Sequence, residues 1–139
     1  MTNPRILITG GAGFVGSSLM RRFRADFPQS QIVILDNLRR RGSESNLLVA
    51  RNLGVEFQHG DIRNPSDLDD LSGNFDWMVE ASAEPSVHAG LSGGSRYVTG
   101  TNLEGTLNCL EFARKRAGVF IFLSTSRVFS IGALRELPL

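Results

Sequence analysis

Two features near the N-terminus could do chemistry together. Gly11-Ala12-Gly13-Phe14-Val15-Gly16 has the spacing G-x-G-x-x-G, and Thr9-Gly10-x-x-Gly13-x-x-Gly16 satisfies the wider form. Glycines so spaced permit a tight turn, the approach of main chain to a pyrophosphate, and close seating of a helix on a strand. A helix opening on that turn offers unpaired N–H groups and the positive end of its dipole to an anion. Asp36 follows Gly16 by 20 residues, where a carboxylate can accept both hydroxyls of an adenosine ribose. The pair points to dinucleotide binding. A carboxylate against the ribose repels a 2′-phosphate, which favours NAD over NADP, although Arg39-Arg40-Arg41 lies close enough in sequence to attract one.

The chain around these residues alternates strand and helix. Arg5 to Thr9 is a short apolar run that stops at glycines, as a buried parallel strand should. Phe14, Val15, Leu19, Phe23 and Phe27 recur at near-helical spacing, and Pro28 marks the exit. The pattern predicts strands at Gln31–Leu35, Val55–Gln58, Asp76–Ala81 and Val119–Leu123. It predicts helices over Ser43–Leu53, Pro65–Leu71 and Thr101–Ala117, with Gly54 and Gly118 as stops. Leu103, Thr106, Leu107, Leu110 and Ala113 mark one face of the last helix. Ser82 to Gly100, with four glycines, four serines and a proline, is expected to be a long loop, and such loops are often functional. Five strands alternating with helices imply an α/β fold: a Rossmann-type parallel sheet with helices on both faces.

Composition narrows the classes. At 139 residues, with 41% hydrophobic and 21% charged, the chain has the length of one domain, 1–139. The net charge of +1, from 14 arginines and one lysine against 14 acids, argues against a nucleic-acid protein. Arg21-Arg22-Arg24 and Arg114-Lys115-Arg116 are expected on solvated helix faces. The lone Cys109 excludes an internal disulfide framework, and no apolar run approaches the ~20 residues of a membrane span. The expected location is a reducing cytoplasm. His59 and His88 lack metal-ligand spacing, so no metal is expected. Glu84 and His88 stand four apart, but Pro85 and nearby glycines oppose the helix that would pair them.

The segments Thr9 to Gly16 and Asp36-Asn37-Leu38-Arg39-Arg40-Arg41-Gly42 resemble the extended short-chain dehydrogenase/reductases, the NAD-dependent sugar-nucleotide epimerases and dehydratases. His59-Gly60-Asp61-Ile62-Arg63, Thr101 to Asn108, and Leu123-Ser124-Thr125-Ser126-Arg127-Val128-Phe129 agree with it. The run from Asp36 to Arg63 most resembles the CDP-tyvelose (CDP-paratose) 2-epimerase branch. The resemblance implies that Gly10, Gly13 and Gly16 shape the pyrophosphate turn while the Phe14 and Val15 amides donate to phosphate. Asp36 would take the ribose, with Asn37 and Arg40 beside it, and Asp61 and Ile62 would border the adenine. Ala81, Ser82 and Ala83 would pass the cofactor, with Asn102 near its nicotinamide side. Ser124 would line the nicotinamide pocket, and Thr125 would hydrogen-bond the substrate hydroxyl. On the residues alone, the less favoured alternatives are that Asp61 is a helix N-terminal acid and that Ser124 to Ser126 cap the strand end.

The resemblance also implies a Tyr-x-x-x-Lys base, and here the chain departs from it. Its one tyrosine, Tyr97, and one lysine, Lys115, are 18 positions apart, and Thr101 stands four after Tyr97. Phe129-Ser130 replaces the usual Tyr-Gly, and Glu80-Ala81-Ser82-Ala83-Glu84-Pro85 replaces a tail beginning His-Leu-Ala-Ala. The expectation is the NAD-binding part of a longer enzyme acting on a nucleotide-sugar, truncated before its substrate domain and inactive alone, with a homodimer formed through helix 101–117. A stand-alone NAD-binding module, regulatory or catalytically dead, is the alternative.

Overall fold

The computed structural model of the chain describes residues 3–86, 88–91, 94–125, 132, 135 and 136. Ser126 to Phe129 of the strand-end segment, and the Phe129-Ser130 departure, lie outside the described residues. The elements run β1 (Arg5–Thr9), α1 (Phe14–Asp26), β2 (Gln31–Asp36), α2 (Ser45–Asn52), β3 (Glu56–His59), α3 (Pro65–Asp69), β4 (Phe75–Glu80) and α4 (Arg96–Thr99). A π-helical turn (Gly100–Gly105) then leads into α5 (Thr106–Arg116), and β5 (Ala117–Phe122) follows directly. The five strands form one parallel sheet in the order β3-β2-β1-β4-β5.

That order places the site. The chain winds outward from β1 to β3 in one direction, then returns to build β4 and β5 on the other side. The crevice at the carboxyl ends of β1 and β4 is where connections diverge and ligands bind in such sheets. Strand periodicity fixes the two faces. On β1 and β2, Ile6, Ile8, Ile32 and Ile34 pack with Met20 of α1 and Ala50 of α2. The alternate residues Leu7, Val33 and Leu35 pack with Leu68, Met78, Cys109 and Phe112 on the opposite face. Each such aliphatic side chain contributes about 1.5–3 kcal/mol by leaving water, so a register slip of one residue would be prohibitive. Trp77 of β4 closes the α1 side, its ring 5.2 Å from that of Phe27 and near edge-on.

Three expectations change. Gly118 does not stop α5: it lies inside β5, where a Cβ would sit 3.0 Å from the Asp76 carbonyl oxygen of β4. Glycine is there for close backbone approach, and the helix ends because Ala117 turns extended (φ −126°, ψ 140°). The helix expected over 101–117 opens with the π-helical turn, and Cys109, Phe112 and Ala113 face the sheet while Leu103, Leu107 and Leu110 are exposed. The loop from 82 to 100 contains the short helix α4.

Two arginines expected on solvated faces do structural work instead. Arg24 donates to the carbonyls of Pro28, Ser30, Leu53 and Gly54, tying the end of α1 to the turn after α2. Arg116 donates to the carbonyls of Leu71 and Gly73, fixing the turn before β4. Among the described residues, no helix is long and apolar enough to cross a membrane.

Candidate functional site

At the switch point a cleft of about 660 Å³ opens between the glycine turn, the ends of β2 and β3, and the segment after β4. Its floor depends on two glycines. Gly10 has φ +65°, and a Cβ there would lie 2.7 Å from the Ala81 carbonyl oxygen. A Cβ on Gly16 would lie 2.6 Å from Gly11 Cα, so α1 could not seat on the turn. The Gly13 N–H donates to the Gly10 carbonyl at 3.0 Å and closes the loop. Helix α1 begins at Phe14 with Gly13 as an N-cap that has no side-chain acceptor. Its first N–H groups therefore have no intrahelical partner and meet the cleft at the positive end of the dipole.

Asp36 ends β2 at the cleft wall. Its Oδ2 accepts from the Ala12 N–H at 3.0 Å and its Oδ1 from the Leu38 N–H at 2.8 Å. A carboxylate offers about four lone-pair sites, so two remain for hydroxyl donors. Next to it, Asn37 Nδ2 donates to Asp61 Oδ2 at 2.8 Å, binding the exit of β2 to the exit of β3. Arg63 closes the same carboxylate with Nη2 at 2.6 Å from Oδ2 and Nε at 2.9 Å from Oδ1. The Arg63 side-chain hydrogen bond is the main reason the Asp61 pKa falls to about 2, against the opposing effect of burial. Asp61 is thus an ionised brace between two loops.

The remaining wall is the segment after β4. Ala81, Ser82 and Ala83 line the cleft, as do Gly10, Gly13, Phe14, Val15, Asp36, Asn37, Arg40, Asp61 and Ile62. Gly16 stands behind the turn. Asn102 is not in the lining: its Oδ1 accepts from the Glu84 N–H at 2.8 Å and its Nδ2 donates to the Glu84 carbonyl at 3.2 Å, so it holds the wall from behind. Ser124 and Thr125 lie beyond the carboxyl end of β5, exposed and outside this lining.

The cleft also gathers residues that the sequence reading gives no place in it. Tyr97 of α4 reaches its edge, where the guanidinium carbons of Arg39 and Arg63 lie 3.9 and 4.8 Å from the ring centroid. Glu84 accepts a 3.5 Å ion pair from Arg40 across the mouth rather than pairing with His88. Leu35, Ser43, Gly60, Pro85 and Thr101 complete the lining. The long loop over 82–100 is the pointer to Tyr97, and the family-like segment Thr101 to Asn108 the pointer to Thr101. Glycine turn, free helix N-terminus and ribose-height carboxylate together suit an anionic dinucleotide.

Residues 6–137 match the NAD dependent epimerase/dehydratase family. The chain belongs to that family. It is similar to a dTDP-glucose 4,6-dehydratase of Streptomyces niveus, 37% identical over 131 residues that make up 90% of this chain and 39% of the relative. A CDP-paratose 2-epimerase of Salmonella typhi is 35% identical over 133 residues, 90% of this chain and 38% of the relative. Among solved structures, a dTDP-glucose 4,6-dehydratase of Streptomyces venezuelae with NAD bound superposes with a TM-score of 0.80. It shares 34% identity over 89% of this chain and 40% of that one. The family is NAD-dependent, and the chain spans about 40% of the length of these relatives.

Proposed function

We propose that this chain is the NAD-binding portion of a sugar-nucleotide epimerase or dehydratase of the CDP-sugar 2-epimerase type. One observation carries the reading: the Asp36 carboxylate is fixed at the cleft wall by the Ala12 N–H of the glycine turn, so ribose acceptor and pyrophosphate cradle form one unit. NAD supplies a hydride acceptor that can take hydride from a sugar hydroxyl carbon and return it. Gly10, Gly13 and the Phe14 and Val15 amides would hold its pyrophosphate, Asp36 its ribose, and Asp61 and Ile62 the adenine border. Ser124 and Thr125, at the carboxyl end of β5, would face the nicotinamide and the sugar hydroxyl.

Proton transfer is the part these residues do not supply. The chain contains no Tyr-x-x-x-Lys pair, and Tyr97 is engaged with Arg39 and Arg63. General-base catalysis contributes about 10²–10⁴-fold, so the chain alone is expected to bind cofactor without turnover. The exposed Leu103, Leu107 and Leu110 support a homodimer through this face, in a cytoplasmic setting that keeps Cys109 reduced.

The test is the mass of the native polypeptide followed by product analysis with NAD and CDP-, dTDP- and UDP-sugars. A polypeptide roughly twice as large that yields an epimerised or dehydrated sugar supports the reading. A native product of 15.2 kDa that binds NAD without turnover replaces it with a stand-alone NAD-binding module.

A further inference from the structure

Glu80 is a buried carboxyl that the cofactor reading leaves unused. It ends β4 with 1% of its surface exposed, in register with Thr9 of β1. The next residue on each strand, Ala81 and Gly10, lines the cleft, so Glu80 sits one residue behind the wall. Its Oε2 accepts from the Thr106 hydroxyl of α5 at a long 3.4 Å. Among the described residues, Oε1 has no hydrogen-bond partner although it is buried.

Among the described residues, no cation offsets a charge there. From β1 the register partner is Thr9, whose buried hydroxyl likewise has no hydrogen-bond partner among the described residues. From α5 come Thr106 and the Cys109 thiol, which burial pushes above its ordinary range and keeps neutral. From β5 the register partner is Phe122. Among the described residues, no arginine or lysine forms an ion pair with Glu80. Burial accordingly raises its pKa to about 7. Removing the proton leaves an uncompensated charge behind a cradle built for another anion, and like charges in a low-dielectric setting raise each other's cost.

We propose that Glu80 is a positioning residue that must be uncharged to support the Ala81–Ala83 wall, so that cofactor binding at neutral pH takes up a proton. The inference rests on the reading of the cleft as the NAD site. Linkage sets the sign: a ligand that binds the protonated form better loses affinity as pH rises through the free protein's pKa.

The test is calorimetric titration of the chain with NAD⁺ from pH 6 to 8.5, in two buffers of different ionisation enthalpy, for wild type and Glu80→Gln. The wild type is expected to take up a fraction of a proton near pH 7.5 and to lose about 3- to 10-fold in affinity across the range. Glu80→Gln, an uncharged isostere, should bind at every pH as the wild type does at pH 6, with no proton uptake. Carbon NMR of the Glu80 carboxyl in the wild type should show a midpoint near neutrality that rises with NAD⁺. Identical pH profiles in both proteins, or a midpoint unmoved by NAD⁺, overturn the role of Glu80 alone. Absence of NAD⁺ binding at every pH overturns the cofactor reading first, and this inference with it.

Discussion

The Ala12 N–H donates to Asp36 Oδ2 at 3.0 Å, joining the glycine turn after β1 to the carboxylate at the end of β2. With the Leu38 N–H on the other oxygen at 2.8 Å, the carboxylate is oriented before any ligand arrives. Preorganisation of this kind lowers the ordering cost of binding. It also makes Asp36 partly structural.

Asp36→Ala is therefore expected to have two effects. Loss of charge-assisted hydrogen bonds to the ribose should weaken NAD⁺ binding by about 3 kcal/mol, roughly 100-fold, by calorimetry. Two backbone donors left without acceptors should cost about 1–2 kcal/mol in denaturant unfolding. NADP⁺ should lose far less affinity than NAD⁺, because the repelling carboxylate goes too.

Gly16→Ala places a Cβ against the backbone of Gly10 and Gly11. Backbone cannot swing aside as a side chain does, so the expected cost is about 1–3 kcal/mol. Thermal unfolding should show a Tm several degrees lower, with weaker NAD⁺ binding as α1 lifts from the turn. An unchanged Tm would contradict the close seating.

Asp61 has a pKa held at about 2 by Arg63, below the ~3.9 of an unfolded aspartate. The brace is fully stabilising above pH ~4, and that contribution is lost as pH falls from about 4 to about 2. Urea unfolding across that interval should show the wild type losing stability more steeply than Asp61→Asn.

Glu80 has the opposite sign. Its folded pKa of about 7 lies above the ~4.3 of an unfolded glutamate, so stability falls as pH rises from about 4 to about 7. Glu80→Gln should be more stable than wild type at pH 8, by on the order of 3–4 kcal/mol, and the gap should close toward pH 4. A constant gap across that range would mean the carboxyl does not titrate there.

Tyr97→Ala removes the ring shared by Arg39 and Arg63 and unties α4 from the exits of β2 and β3. Exposed cation–π contacts are worth about 0.5–1 kcal/mol each, so denaturant unfolding should show a loss of about 1–2 kcal/mol in stability. Tyr97→Phe, which keeps the ring, should restore it.

Much of this was legible in the residues because local chemistry dictated it. The glycine spacing, the apolar runs of β1 and β2, and Asp36 at a strand end each carry their own reason. Gly118 misled because glycine has two meanings, helix stop and close backbone approach, and only the position of Asp76 on β4 decides between them. The face of the last helix misled in part: of Leu103, Thr106, Leu107, Leu110 and Ala113, Ala113 is buried against the sheet beside Cys109 and Phe112, while the three leucines are exposed. Two apolar faces on one helix cannot be ranked without knowing which one the sheet occupies. Tyr97 and Glu84 entered the cleft through tertiary contacts with arginines distant in sequence.

The central claim is that the cleft at the β1–β4 switch point holds NAD, and the most direct test is an NMR titration of the ¹⁵N-labelled chain with NAD⁺. The expected result is saturable shifts of the Gly10 to Gly16 amides, of Asp36 and Leu38, and of Ala81 to Ala83. No shift at millimolar NAD⁺, or shifts confined to other residues, would contradict it.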